Sequence, residues 1–74
     1  MSIDTIARLR ALRKTIGATQ AEAAGMYRVK RRTYQDWELG RAEVPGPATL
    51  ALECWEASER KAQARLEAVR KQGQ

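Results

Sequence analysis

The chain has no histidine, no phenylalanine and one cysteine, Cys54, and each scarcity removes a class of function. Without histidine the usual general base near neutral pH is missing, and neither a Cys–His nor a Ser–His pair can be built, so no enzyme is expected. A lone cysteine forms no internal disulfide, and with no second thiol and no imidazole a zinc site is effectively excluded, so neither metal nor cofactor is expected. No run of 18 apolar residues occurs and the first residues lack the charged-then-apolar layout of a secretory signal, so the reading is a cytoplasmic protein, with no membrane partner. What is present, 43% apolar residues with only two Trp and two Tyr, fits a small helical domain rather than a disordered or sheet-rich chain. At 74 residues the core is modest, and a partner subunit would help it.

The formal charge of +5 is unevenly placed. Residues 1–41 hold nine of the fourteen Lys/Arg and four of the nine acids, whereas residues 42–74 hold five of each, so the whole excess lies in the first half. A localised basic face points to a polyanion.

Along the chain, "DTIARLRALRKTI" places Ile6, Leu9, Leu12 and Ile16 on one stripe of a helix over residues 4–16, with Asp4 or Ser2 as its cap and Gly17 as its left-handed end. Thr19 and Glu22 form the capping box of a second helix that stops near Met26 or Tyr27. That helix is small-sided, which lets another backbone approach closely, although Gly25 within it costs about 1 kcal/mol relative to Ala. A third helix is expected from Lys30 or Arg31 to Leu39, with Val29, Tyr34 and Trp37 inward and Gly40 ending it. After the loop "RAEVPGP", helix resumes at Pro47 and runs almost to the end, with a break near Ser58.

In this last part, Ala48, Leu52, Trp55, Ala62, Leu66 and Val69 follow a four-three spacing interrupted only by Glu59, which reads as a coiled-coil seam. The other reading is a solvated terminal helix held by local Glu56/Arg60 and Glu67/Lys71 pairs. Trp37, Trp55 and Tyr34 are expected in the core, the Tyr34 hydroxyl being the one aromatic group able to reach a phosphate, and Cys54 is read as a small buried apolar residue.

A helix, corner, helix, turn, helix layout with cations on the third helix suits a DNA reader whose last motif helix enters the major groove. Arg13, Thr19-Gln20, Ala24, Trp37-Glu38 and Gly40 stand in the register of the lambda-repressor/Cro-type helix-turn-helix proteins, the Xre family, which residues 5–55 resemble. The trailing "GRAEVPGPATLALECW" is also similar to small phage and plasmid regulators, anti-CRISPR-associated repressors and self-silencing antitoxins among them. Two positions depart from the family pattern: Arg28 stands where Gly is usual and Lys30 where Ser or Thr caps the third helix. A non-glycine residue in a left-handed turn costs about 1 kcal/mol, so either the turn is shaped differently or the Arg is kept for its charge.

With that frame, Arg31, Arg32, Gln35 and Asp36 are the expected base-reading residues, since Arg pairs with guanine, Gln with adenine and Asp accepts from cytosine. Gln20, Arg28, Lys30, Thr33 and Arg41 are expected at phosphates. The resemblance implies an ion pair between Arg13 and Glu38. The expected architecture is all-α, a four- to five-helix lambda-repressor-like domain over residues 1–58 with a helical extension at 59–74. A homodimer would bind an inverted-repeat operator in double-stranded DNA as a transcriptional repressor, its interface formed by Leu52, Trp55, Ala62, Leu66 and Val69, with half-sites roughly 34 Å apart. The alternative is an antitoxin or adaptor whose C-terminal helix binds a partner protein and whose DNA binding serves autoregulation.

Overall fold

In the computed structural model, which describes residues 3–72, the chain forms α1 (Ile3–Ile16), α2 (Gln20–Met26), α3 (Arg31–Glu38), α4 (Gly46–Ala57) and α5 (Glu59–Gln72), and no strand occurs among the described residues. The fold is all-α. Ser2, one of the two proposed caps of α1, and residues 73 and 74 of the expected extension lie outside the described residues.

The first three helices end alike, and these ends make the corners. At α1, the Gly17 N–H donates to the Lys14 carbonyl (3.2 Å) and the Ala18 N–H to that of Arg13 (3.0 Å). At α2, Arg28 donates to Gly25 (3.1 Å) and Val29 to Ala24 (3.0 Å); at α3, Gly40 donates to Trp37 (3.2 Å) and Arg41 to Asp36 (2.8 Å). Each is a Schellman cap, which needs a left-handed residue just past the helix. That residue is Gly17 (φ 73°), Arg28 (φ 59°) and Gly40 (φ 75°). The α2–α3 turn therefore keeps the left-handed shape in which glycine is usual, and Arg28 adopts it at a cost of about 1–2 kcal/mol.

Helix starts differ more. Thr19 Oγ1 accepts from the Glu22 N–H (3.0 Å) while Glu22 Oε1 accepts from the Thr19 N–H (2.9 Å), the expected capping box. Pro47 sits in the first turn of α4, where its missing N–H loses nothing. Ser58 (φ −145°, ψ 97°) leaves helical geometry, ending α4, and its Oγ accepts from the Lys61 N–H (3.4 Å), which starts α5.

The core is one cluster drawn from every helix: Leu9, Leu12 and Ile16; Ala23, Ala24 and Met26; Tyr34 and Trp37; Ala48 and Leu52; Ala62 and Leu66. Tyr27 touches Tyr34, Trp37 and Trp55 through ring contacts of 5.0–5.9 Å between centroids. Burial of Tyr27 and Tyr34 pushes both phenols well above their ordinary range.

The second half is arranged differently from the expectation at several points. Helix α5 is not an extension beyond residue 58: it packs against α2 and α4 and closes the core. The residues read as a dimer seam are therefore used within the chain. Leu52, Ala62 and Leu66 are fully buried, and Trp55 and Val69 pack against the same core. Val69 lies over Gly25, where a Cβ would come within 2.7 Å of its Cγ1, so the glycine that weakens α2 is what lets α5 approach. The four-three spacing is real, but it serves a helical hairpin folded back on its own domain. Nor do local pairs hold a solvated terminal helix: Glu56 on α4 pairs with Arg8 on α1 (2.6 Å) rather than with Arg60, no ion pair joins Glu67 to Lys71 on α5 among the described residues, and Arg70 on α5 reaches Glu22 on α2 (2.8 Å). Cys54, read as buried, is exposed, because the α4 face it shares with Leu50 (67% exposed) points to solvent.

Candidate nucleic-acid interface

Helix α3 has a strong sidedness. Tyr34, Trp37 and Glu38 are buried, and the Tyr34 hydroxyl points inward to donate to the Leu9 carbonyl (3.5 Å), so it does not face a ligand. Arg31 and Arg32 are exposed in the first turn, with Thr33, Gln35 and Asp36 half-buried beside them. Lys30 caps the helix with its backbone only (φ −70°, ψ 151°), and the first turn holds no acid. Arg28 and Lys30 before the helix and Arg41 after it are also exposed. The side chains of Arg28, Lys30, Arg31, Arg32 and Arg41 have no hydrogen-bond or ion-pair partner among the described residues. These five are most of the unpaired cations of the first half, Lys14 on α1 being the other one there without a partner among the described residues.

Beneath them lies a polar lattice centred on Glu38, only 3% exposed. Arg13 grips it with two bonds, Nε to Oε2 (2.8 Å) and Nη2 to Oε1 (3.3 Å), and also donates from Nη1 to the Ala18 carbonyl (3.3 Å). The paired Arg13 and Glu38 thus tie α1, the α1–α2 corner and α3 together. Burial alone would raise the Glu38 carboxyl, but the hydrogen bonds from Arg13 and Gln20, together with the Arg13 charge, outweigh it and hold the group below the usual carboxylate range. The bond to Glu38 correspondingly raises the Arg13 guanidinium against the opposing effect of its own desolvation.

Position in the sequence gives Gln20 and Gln35 separate tasks, one at a phosphate and one at a base, and the fold joins the two side chains. Gln20 Nε2 donates to Glu38 Oε1 (3.1 Å), and Gln35 Nε2 donates to Gln20 Oε1 (3.0 Å). The order follows from the chemistry of the buried end, since an ionised carboxylate only accepts and so turns the Gln20 amide to present its N–H. The Gln20 oxygen then faces Gln35, whose own amide oxygen stays available. The relay Arg13, Glu38, Gln20, Gln35 fixes an outward amide from a buried charge, which restricts its rotamers before any ligand arrives.

Sequence reasoning missed Arg10, which donates from Nη2 to the Glu38 carbonyl (2.9 Å) and places its Nε 4.0 Å from the Glu38 carboxylate. Its position three residues before Arg13, on the same side of α1, was the available signal. Arg65 was also missed: its Nε and Nη2 donate to the Met26 and Gly25 carbonyls (3.2 and 3.1 Å), capping the end of α2 across 40 residues of sequence, and no local pattern foretells that.

Chemically, the surface offers five free cations, one oriented carboxamide and the Asp36 carboxylate on a scaffold whose inner face is closed. Such a surface suits a polyanion presenting donor and acceptor edges. Comparison of the chain with known protein families, with curated proteins and with solved structures finds no match.

Proposed function

We propose that the chain is a sequence-specific double-stranded DNA-binding regulator of the lambda-repressor/Cro type, a repressor rather than an enzyme, which places α3 in the major groove. The observation that carries this reading is the start of α3: Lys30, Arg31 and Arg32 crowd a helix end where positive charge is unfavourable, and no carboxylate among the described residues pairs with them. Phosphates supply the missing compensation. Arg31, Arg32, Gln35 and Asp36 read base edges, while Arg28, Lys30, Thr33 and Arg41 hold the backbone. Gln20 acts chiefly by orienting Gln35, with one N–H left for a phosphate.

A body of 31 × 25 × 20 Å with a single cationic helix covers one half-site, so an inverted repeat calls for two copies. Like-charged copies repel through their basic halves, and the contact between them falls on the neutral half. With the seam residues buried, the α4 face of Leu50 and Cys54 is the apolar surface available there. The adaptor reading is less well supported, because Ala62 and Leu66, which a partner would grip on α5, are already enclosed.

The test is binding to duplex DNA drawn from the region upstream of the chain's own coding sequence, against a random-sequence duplex, over a range of salt. The expected result is tighter binding to an inverted repeat there, with log affinity falling by about 0.9 per unit log salt for each phosphate engaged. Sedimentation should show a dimer that Leu50→Glu dissociates. Equal, salt-insensitive binding to both duplexes would sink the regulatory reading.

A further inference from the structure

We propose that Arg28 is a DNA phosphate contact held in an unfavourable left-handed conformation, so that glycine in its place yields a more stable protein with a weaker grip on DNA. The inference rests on the reading of α3 as the DNA-facing helix, and it deepens it by separating a residue kept for binding from those kept for folding.

The argument begins with the three matching helix ends. The caps of α1, α2 and α3 share one hydrogen-bond pattern, and in two of them the left-handed residue is glycine. The third has the same bonds and the same hand with a long cationic side chain. The geometry of the cap therefore does not ask for arginine, and it disfavours any residue with a Cβ.

A structural role for the side chain would be to neutralise the carbonyl end of α2, where a cation is favourable. Arg65 already does this, donating to the Gly25 and Met26 carbonyls. The Arg28 side chain is exposed and has no hydrogen-bond or ion-pair partner among the described residues, so nothing inside the fold offsets its backbone strain. Its position does have a use outside the fold. It stands two residues before Lys30 and three before Arg31, extending the cationic end of α3 across the turn. Because it lies in the turn and not on the base-facing strip of α3, it meets the sugar-phosphate backbone and positions the domain without reading sequence.

The experiment compares the intact chain with Arg28→Gly, Arg28→Lys and Gly17→Ala, measuring melting temperature and affinity for a short random-sequence duplex as salt is varied. Arg28→Gly should melt several degrees higher. Its binding to that duplex should weaken, and its salt slope should fall by about 0.9. Arg28→Lys should keep the slope without the thermal gain, because lysine carries the same charge and the same strain. Gly17→Ala introduces comparable strain at a cap with open space around the added Cβ, and it should melt lower with unchanged binding. An Arg28→Gly variant that binds with wild-type affinity and slope, or that melts lower than wild type, overturns the inference. If the wild-type chain itself shows no salt-dependent duplex binding, the function proposed for α3 fails and this inference fails with it. Wild-type binding with an indistinguishable Arg28→Gly removes the inference alone.

Discussion

The amino-terminal ends of α2 and α3 are built in opposite ways. At α2 every local preference is met: Thr19 and Glu22 exchange hydrogen bonds, a carboxylate sits at the positive end of the helix, and Arg70 closes over it from α5. At α3 each is refused, since Lys30 offers no side-chain cap, the first turn has no acid, and two arginines stand where the dipole repels them. Both ends belong to one rigid unit and share the Glu38 lattice through Gln20 and Gln35. The contrast separates two kinds of residue. A site whose local energetics are satisfied inside the chain explains itself as folding, whereas one left uncompensated on a well-held scaffold is directed at something outside.

The contrast breaks most severely if the lattice beneath both ends is removed. Glu38→Ala leaves Arg13 without its partner and should lower stability by about 3–5 kcal/mol, a large part of what a domain of this size has, as read by urea or thermal unfolding. The same contact makes stability depend on pH. The folded-state pKa of Glu38 lies below that of an ordinary glutamate carboxyl, so the contribution is whole above the unfolded-state value and is lost as the pH falls through the lower folded one. Melting temperature should be flat near neutrality and drop in acid, and in Glu38→Gln the drop should shrink.

Less drastic are Arg31→Ala and Arg32→Ala. Each should weaken binding to the cognate duplex by about 1–3 kcal/mol, and random DNA much less, while leaving the melting temperature unchanged or slightly raised. Equal losses on both duplexes would mean these arginines meet phosphates instead of bases. Lys30→Ala, by contrast, should weaken both duplexes alike.

The finest test exchanges the chemistry of the two ends. Thr19→Ala removes a satisfied cap and should destabilise by about 1 kcal/mol. Lys30→Ser supplies the missing cap to α3 and should stabilise by a few tenths to about 1 kcal/mol while reducing duplex affinity. If Lys30→Ser destabilises, the α3 end was not under-satisfied and the comparison fails.

Much of the fold was legible because its signals are local. Thr19 with Glu22, Gly17, Gly40 and the apolar stripe of α1 each act within one helical turn, and all four appear in the structure as read. The break at Ser58 was legible too. What the four-three spacing of Leu52, Trp55, Ala62, Leu66 and Val69 meets was not, because an apolar stripe states only that a face is covered. It carries no information on whether a second copy or the chain's own α1 and α2 does the covering. The same limit explains Cys54 and Leu50: α4 is apolar on both sides, so its pattern does not rank one face above the other.

In the candidate site, the outward cations were readable from the inward positions of Tyr34 and Trp37, and the Arg13–Glu38 pair from resemblance. The relay from Glu38 through Gln20 to Gln35, and the carbonyls capped by Arg65, were not readable, since they join residues 15 to 40 positions apart.

By itself, then, the sequence determined where helices begin and end and which half bears the charge, because capping, left-handed turns and net charge are set by neighbouring residues. Only the tertiary structure decided that α5 folds back to seal the core over Gly25, that Arg28 holds a glycine's conformation, and which cations remain unpaired. Those outcomes depend on which distant groups come within a few ångströms of each other, and a contact between residues far apart in the chain exists only once the chain has closed around it.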